Sequence, residues 1–367
     1  MLRDSARRFL EAECPSSFVR ATMATPGAHS PALWEKIATL GWLGILVPEE
    51  YGGAGGSFLD MTVVLEEAGK ALLPGPFFAT AILGTLAIRA GGSPQQQTRL
   101  LPAIARGAHL TTFALADTDA RIDAAGVMLP ARPHAGGFLL RGEKLFVADA
   151  HVADTLVVAA RAAGAGEEGV TLFLIDAHAP GVEILPLKTV DMTRRLCTVR
   201  LVDVAVAAAD VLGAPGAGWP IVQRVLDHAL TAIAIEVVGT AQRALDMSVA
   251  YARERTQFGR PIGSFQAVKH KCVDMMVAVE SARSLAYYAA WAVNEQAPEA
   301  RAAVPMAKAY CSDMGKHVTS EAIQVHGGIG FTWEHDLHLY YRRALAADAA
   351  FGAAPAHRET IVAPLVR

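Results

Sequence analysis

The spacing of hydrophobic residues divides the chain into three parts. Residues 1–109 carry Ala, Leu and charged residues at helical spacing, which predicts helices with breaks at Pro74 and Gly91. Residues 110–212 carry short apolar runs separated by Gly, Pro and Asp, a pattern typical of strands in an antiparallel barrel or sandwich. Long helical patterns return over residues 213–367. We therefore predict an α+β fold with an N-terminal helical domain, a central β-domain and a C-terminal helical domain.

The composition is that of a globular chain with a large core. Hydrophobic residues make up 52% of the 367 residues, and the net charge is −3 without a basic block, which argues against nucleic-acid binding. Apolar runs are too short for a membrane span, and the charged N-terminus predicts an amphipathic helix rather than a signal peptide. The cysteines form no CxxC pair, so we expect a cytoplasmic protein with reduced thiols.

The first candidate for chemistry is the segment 251–263, which reads Tyr-Ala-Arg-Glu-Arg-Thr-Gln-Phe-Gly-Arg-Pro-Ile-Gly. A helix that carries Arg253 and Arg255 is predicted to stop at Gly259 and Pro261. This places a basic helix end beside an aromatic ring. Such a combination can hold a phosphate by charge-assisted hydrogen bonds and cover an adenine.

A second glycine-rich segment lies downstream, Gln324-Val-His-Gly-Gly-Ile-Gly330, followed by Phe331-Thr-Trp-Glu-His-Asp336. Together with the basic helix end, these motifs resemble the acyl-CoA dehydrogenase family. Further matching segments lie at residues 41–53, 140–144, 211–213 and 216–218. The resemblance is specific because the motifs occur in the family's order and spacing over nearly the whole chain.

The resemblance implies a fold, a reaction and an assembly. The fold would be N-terminal helices, a central β-barrel or sandwich and a C-terminal four-helix bundle that forms a dimer or a dimer of dimers. The reaction would be the α,β-dehydrogenation of an acyl-CoA thioester, with FAD as hydride acceptor. An electron-transferring flavoprotein is the implied partner that reoxidises the flavin.

In this family FAD lies across a subunit interface: the isoalloxazine rests against the β-domain of one subunit, and the helical bundle of its neighbour holds the adenosine diphosphate arm. The resemblance assigns this role to Arg255, Phe258, Gln266, Gln324, Gly327 and Gly328. Arg255 would pair with the pyrophosphate, Phe258 would pack on the adenosine, and the two glycines would bring backbone amides close to the cofactor. The alternative for Arg255 is a solvated arginine at a helix end.

The isoalloxazine half of the site departs from the family pattern. The usual Thr-Glu-Pro run ending in Gly-Ser-Asp is replaced by residues 113–121, in which Asp117 stands for the glutamate and Leu115 is a candidate contact. The usual Trp-Ile-Thr becomes Phe146-Val-Ala148, which replaces indole by phenyl and deletes a hydroxyl. Phe146 and Ala148 remain candidates because backbone amides could still hold the flavin. Alternatively, Phe146 belongs to an ordinary strand with one buried face.

The glutamate that removes the Cα proton in this family is missing from both of its usual positions. Counting on from Arg342 reaches Phe351-Gly352, where most members have glutamate and glycine. The position used by a minority, ten residues before Gly239, is Ala229. Between Ala229 and Gly239 on this predicted helix, Glu236 is the only charged residue. It would share a face with Ala229, about 10 Å further along the axis.

Glu236 is therefore the candidate catalytic base, since a buried carboxylate can act as a general base near neutral pH. The alternatives are a buried structural glutamate paired with an arginine, or a carboxylate ligand to part of the cofactor. Asp227 and His228 are neighbouring candidates that we expect to face solvent.

Two functional hypotheses remain open. In the first, the chain is a self-sufficient homomeric dehydrogenase that uses Glu236. In the second, it is a supporting subunit of a heterotetramer and completes the FAD site of a homologous partner. The Phe351-Gly352 replacement resembles a bacterial branch that includes such pairs and acts on CoA thioesters of steroid side chains and other bulky acids. Alanines at positions 229, 232 and 234 suggest room for a branched or cyclic acyl group.

Overall fold

The structure is a computed structural model that describes residues 1–363 and residue 366. Its helices are α1 (Leu2–Glu13), α2 (Ser16–Met23), α3 (Pro31–Thr39), α4 (Phe58–Ala71), α5 (Thr85–Gly91), α6 (Pro94–Ala105), α7 (Gly218–Glu254), α8 (Gln266–Asn294), α9 (Ala300–His326), α10 (Leu337–Ala349) and α11 (Ala354–Val362). Its strands are β1 (Thr111–Ala114), β2 (Ala131–His134), β3 (Gly137–Ala148), β4 (Thr155–Arg161), β5 (Val170–Asp176), β6 (Val182–Pro186), β7 (Leu196–Ala207), β8 (Val211–Leu212), β9 (Thr256–Gln257) and β10 (Arg260–Pro261).

The described chain divides into two compact units. The first comprises residues 1–21, residues 58–73 and the chain from residue 230 onward, and the second comprises residues 22–57 and 74–229. Helices and the two-stranded sheet of β9 and β10 build the first unit, whereas the second combines helices with two four-stranded sheets. The predicted α+β fold is therefore confirmed. Over the residues that the structure describes, no helix is long and apolar enough to cross a membrane.

Two glycines allow α4 and α7 to cross with their backbones in contact. A Cβ added at Gly69 would lie 2.1 Å from the carbonyl oxygen of Glu236, and one added at Gly239 would lie 2.0 Å from that of Glu66. Both separations are far below van der Waals contact, so neither glycine can be exchanged without moving a helix. This crossing fixes the position of Glu236 in the first unit.

Buried carboxylates on α4 attach the N-terminal helix to the bundle. Glu66 is fully buried and lies 3.1 Å from both Arg3 and Arg283, and it accepts a 2.8 Å hydrogen bond from the Tyr287 hydroxyl. One helical turn after Arg3, the Arg7 guanidinium contacts Glu67 at 3.1 Å. A buried carboxylate is tolerated only when it is paired and hydrogen-bonded, and these cations meet that need.

The second unit contains a β-sandwich. One sheet has the order β1-β4-β5-β8 and the other β2-β3-β7-β6. Side chains from both sheets share one apolar core, including Leu140, Leu156, Phe173 and Val199. The sequence predicted antiparallel pairing throughout, but β1 pairs with β4 in parallel. This was missed because strand direction depends on the long connection from β1 to β4, which leaves no local pattern.

Candidate active site and cofactor site

The basic segment at the end of α7 forms a tight hairpin in the first unit. The helix ends at Glu254, and β9 and β10 pair through a two-residue turn made of Phe258 and Gly259. Both turn residues have positive φ, 53° and 79°, as a type I′ turn requires. The left-handed conformation is costly for a phenylalanine, so the tight turn holds the backbone of Phe258 against its preference.

The hairpin exposes an aromatic ring among cations. Phe258 is 91% exposed, and its ring contacts that of Phe265 edge-on, at 6.1 Å between centroids. The Arg260 guanidinium lies 4.1 Å from the centroid of Phe265. Arg255 is exposed beside this group, as is Gln266 at the start of α8. The segment therefore offers positive charge and uncovered aromatic surface to a ligand.

The glycine-rich segment at the end of α9 is open on its outer face. Gly327 ends the helix with φ 62° and ψ −140°, a conformation that essentially only glycine adopts. A Cβ added at Gly327 or Gly328 would meet nothing within 4 Å, so a ligand can approach the backbone here. The N–H of Gly327 donates inside the helix end, to the carbonyls of Ile323 and Gln324. Gly327 therefore lets a ligand come close to the main chain, but its own N–H is already used within the helix end.

The structure brings these two segments together within the first unit. Tyr251, on the last turn of α7, stacks on His326 at the end of α9, with ring centroids 4.4 Å apart and planes at 20°. Arg255 follows Tyr251 by one turn, and Gly327 follows His326 directly. The predicted halves of the arm-binding site are therefore neighbours in space.

In the β-sandwich, Phe146 lies at an irregularity of strand β3. The register of β3 against β7 shifts between Lys144 and Val147, and Phe146 there has φ 55°. Its ring is 52% exposed. Ala148 is half-buried, and its carbonyl accepts a 2.6 Å hydrogen bond from the Thr112 hydroxyl. The side chain of Leu115 is buried, so only the main chain of Leu115 can face a cofactor.

A buried ion pair that the sequence did not reveal supports this region. Lys144 is fully buried, and its Nζ lies 2.5 Å from Asp117 Oδ1 and 2.9 Å from the Leu115 carbonyl. Asp117 Oδ2 accepts from the backbone N–H of Leu129 at 2.9 Å. Burial lowers the pKa of Lys144 to about 8, although the Asp117 carboxylate opposes this shift. The pair ties the loop after β1 to the strand that carries Phe146.

Three ionisable residues on α7 have contrasting surroundings. Glu236 is 4% exposed, on the same side of the helix as the fully buried Ala229. The Asp227 carboxyl reaches solvent, as expected, but the surrounding protein displaces enough water to raise its pKa to about 6. His228 is only half-exposed, and burial lowers its pKa to about 4. The expectation of a solvent-facing His228 was therefore only partly right, because neighbouring elements cover the imidazole.

The turn between α10 and α11 carries Phe351 and Gly352 in left-handed conformations, with φ 52° and 98°. A buried lysine anchors this turn, since Lys308 Nζ donates to the carbonyls of Asp348 and Gly352 at 2.9 and 3.0 Å. Burial lowers the pKa of Lys308 to about 8. The ring of Phe351 is half-buried. The turn is thus firmly built but presents a phenyl ring where a proton acceptor would be needed.

Comparison with known proteins matches three consecutive domains of one family. Residues 1–108, 112–204 and 216–365 match the N-terminal, middle and C-terminal domains of acyl-CoA dehydrogenases. The chain belongs to the acyl-CoA dehydrogenase family. It is an oxidoreductase of this family, whose cofactor is FAD.

Relatives in this family cover nearly the whole chain. The chain is 34% identical to acyl-CoA dehydrogenase IpdE2 of Mycolicibacterium smegmatis over 96% of its own length and 94% of that protein. It superimposes on butyryl-CoA dehydrogenase of Megasphaera elsdenii with a TM-score of 0.92 and 28% identity, covering 100% of this chain and 97% of that one. Another similar structure is the Tcur3481-Tcur3483 steroid ACAD, with a TM-score of 0.88, 30% identity and coverage of 100% and 96%.

The residues of this acyl-CoA dehydrogenase fit the chemistry of FAD. In the first unit an uncovered ring, Phe258, lies among arginines and close to an open glycine turn, which suits an adenosine diphosphate group. In the second unit Phe146 presents another uncovered ring at a strand bulge, which suits a flat heterocycle. In both places a phenylalanine is held at positive φ with its ring exposed, an arrangement that packing within the chain does not explain.

Proposed function

We propose that this chain is an FAD-dependent acyl-CoA dehydrogenase that desaturates a thioester between Cα and Cβ. The single observation that carries the proposal is the exposed aromatic and basic hairpin lying beside an open glycine turn, in a chain of this family. When bound, FAD supplies the acceptor for the hydride that leaves Cβ.

The first unit would hold the diphosphate arm of the cofactor. Arg255 would form bidentate hydrogen bonds to phosphate oxygens, and Phe258 would cover the adenine. Gln266 and Gln324 are exposed and would add amide hydrogen bonds to the arm. Gly327 and Gly328 would allow the phosphates to approach the main chain, because neither position carries a Cβ.

The second unit would orient the isoalloxazine ring of an FAD whose diphosphate arm is held by the helical bundle of a neighbouring subunit. Phe146 would pack against the face of the ring system, and the main chain of Leu115 and Ala148 would provide the polar contacts. Ala148 has no hydroxyl, so the geometry of the main chain matters more here than in a site with a threonine. The buried pair of Lys144 and Asp117 would keep that geometry fixed.

We assign the removal of the Cα proton of the substrate to the Glu236 carboxylate. Glu236 lies on the buried side of α7, where little water competes for the carboxylate, whereas Phe351 cannot accept a proton. The test is Glu236→Gln, which keeps the shape of the side chain and removes the base. We expect it to bind FAD as the wild type does and to lose turnover with acyl-CoA. Asp227→Asn, a change on the opposite side of the same helix, is the control and should retain turnover; unchanged turnover in Glu236→Gln would remove Glu236 as the base.

A second candidate function is that of a supporting subunit. Phe351 at the α10–α11 turn favours it, because a chain without a base there could complete the flavin site of a homologous partner that has one. The experiment is to purify the chain alone and together with a homologous subunit of the same organism. Flavin that appears only after coexpression would favour the supporting role, whereas flavin in the chain alone favours a homo-oligomeric enzyme.

Substrate and electron acceptor complete the proposal. Ala229, Ala232 and Ala234 are small and buried on α7, which would leave room for a branched or cyclic acyl chain. Reduction of the enzyme by a series of straight and branched acyl-CoA thioesters would rank the substrates, with the bulky ones expected to react faster. An electron-transferring flavoprotein is the proposed oxidant, and the enzyme should turn over with it faster than with molecular oxygen.

A further inference from the structure

The junction between the two arm-binding segments is a cluster of three aromatic rings, of which Tyr251 and His326 are stacked. His326 is buried between Tyr251, at 4.4 Å and 20°, and His335, at 4.7 Å and 60° between centroids and planes. The three rings come from α7, from the end of α9 and from the loop before α10. They therefore connect three separate segments of the first unit.

Hydrogen bonds fix the orientation of the central ring. His326 Nδ1 lies 2.8 Å from the Ala322 carbonyl, so this nitrogen carries the proton and donates. Burial lowers the pKa of His326, which keeps the imidazole neutral at physiological pH. His335 Nδ1 accepts from the N–H of Leu337 at 3.2 Å, which fixes the next ring as well. The central imidazole is thus a rigid plate with a defined position.

The two stacked residues, Tyr251 and His326, are each directly linked to a proposed cofactor contact. The N–H of Arg255 donates to the Tyr251 carbonyl at 2.8 Å, so the position of Tyr251 sets where the Arg255 backbone lies. His326 immediately precedes Gly327, whose conformation ends the helix. The distance between the arginine and the glycine turn therefore depends on the contact between Tyr251 and His326.

We propose that His326 is a positioning residue for the FAD arm. By stacking on Tyr251, it sets the spacing between Arg255 and the glycine turn to the size of a diphosphate. The inference rests on the proposed function, because it assumes that this segment pair holds FAD. It goes further in assigning the spacing to an imidazole that touches neither the substrate nor the reacting atoms.

The structure provides both a conservative variant and a matched control. His326→Phe keeps a flat ring in the stack and loses only the hydrogen bond to Ala322. His338 is similarly buried in the same region and stacks on Trp333 at 4.6 Å and 23°. His338→Ala therefore removes the stacking of another buried imidazole, here on the half-exposed Trp333, and leaves Tyr251 and Gly327 unchanged. Arg255→Gln serves as the reference for a direct loss of phosphate binding.

The experiment titrates FAD into the full-length apoprotein of each variant and follows quenching of flavin fluorescence, with thermal unfolding measured in parallel. We expect His326→Ala to weaken FAD binding by up to about tenfold, because the energy of one aromatic stack would no longer hold Arg255 and the glycine turn at the binding distance. His326→Phe should restore most of the affinity, and His338→Ala should bind like the wild type.

Three results would overturn the inference. His326→Ala could bind FAD as tightly as the wild type while Arg255→Gln binds weakly, which removes the role of His326 and leaves the cofactor site standing. His338→Ala could weaken binding as much as His326→Ala, which would reduce the effect to general packing. If Arg255→Gln also binds like the wild type, the arm site itself is wrong and the inference fails with it.

Discussion

Replacing either partner of the buried ion pair of Lys144 and Asp117 by an uncharged residue should destabilise the β-sandwich strongly. The lysine is fully buried, and its ammonium lies 2.5 Å from the carboxylate. Removing one partner of such a pair leaves an uncompensated buried charge and costs about 3–5 kcal/mol. We therefore expect Lys144→Met and Asp117→Asn each to lower the free energy of unfolding of this unit by roughly that amount. Asn at position 117 keeps an oxygen that can accept from the N–H of Leu129.

The double variant isolates the pair from other losses. With Lys144→Met and Asp117→Asn combined, no charge is left unpaired, so the double variant should be more stable than the sum of the single effects by about 2–3 kcal/mol. Native-state hydrogen exchange of the β3 and β7 amides is the assay, because it reports the opening of this unit itself. The control is the Arg141–Asp203 pair, which joins the same two strands at the surface and should contribute far less.

The pH dependence provides an independent check on the pair. The pKa of Lys144 is about 8 in the folded protein and 10.5 in the ordinary lysine. Between these values the unfolded chain binds more protons than the folded one, so the stability of the wild type should rise with pH across this window. In Lys144→Met this rise should be smaller by the contribution of one lysine, since Lys308, whose pKa is also lowered to about 8, keeps its own part. Additive single effects, or the same pH slope in Lys144→Met, would refute the account of a coupled buried pair.

Other predictions concern backbone fit, cofactor binding and acid stability. Gly69→Ala should destabilise the first unit by more than 2 kcal/mol or so, since its Cβ would lie 2.1 Å from a backbone oxygen of α7; the unfolding free energy of the variant checks this. Gly327→Ala should weaken FAD binding more than Gly328→Ala, because only position 327 has positive φ; fluorescence titration of both apoproteins compares them. His228 has its pKa lowered to about 4, so its contribution to stability is lost as pH falls from 6.5 toward 4, and His228→Gln should flatten that loss in acid unfolding curves. Asp227, with its pKa raised to about 6, acts in the opposite sense, so Asp227→Asn should make the acid loss steeper.

The parts that the sequence predicted are those with a local signature. A chain break after α7 and a turn at Gly327 were predicted from glycine and proline in consecutive residues. The helix nevertheless ends at Glu254, before Arg255, and the β9–β10 hairpin that follows it was not predicted. The sheet and helix regions follow from hydrophobic spacing. The α+β architecture was predictable on this basis.

The parts that the sequence did not reveal depend on contacts between distant segments. Lys144 appears in the sequence as an ordinary strand lysine, and only the packing of β3 against the loop after β1 buries it beside Asp117. The stack of Tyr251 on His326 likewise requires α7 and α9 to end at the same place. Lys308 is one of many helical lysines until α10 and α11 fold over it. Glu236 was found because it is the single charge in an apolar stretch, but its chemistry remains a proposal.

The most direct test of the central claim is the visible spectrum of the purified chain during anaerobic addition of acyl-CoA. If the chain is a self-sufficient FAD-dependent dehydrogenase, it carries flavin in about equimolar amount, and the flavin absorbance bleaches when a suitable thioester is added. A chain that stays colourless in excess FAD, or a flavin that no acyl-CoA reduces, would contradict the claim.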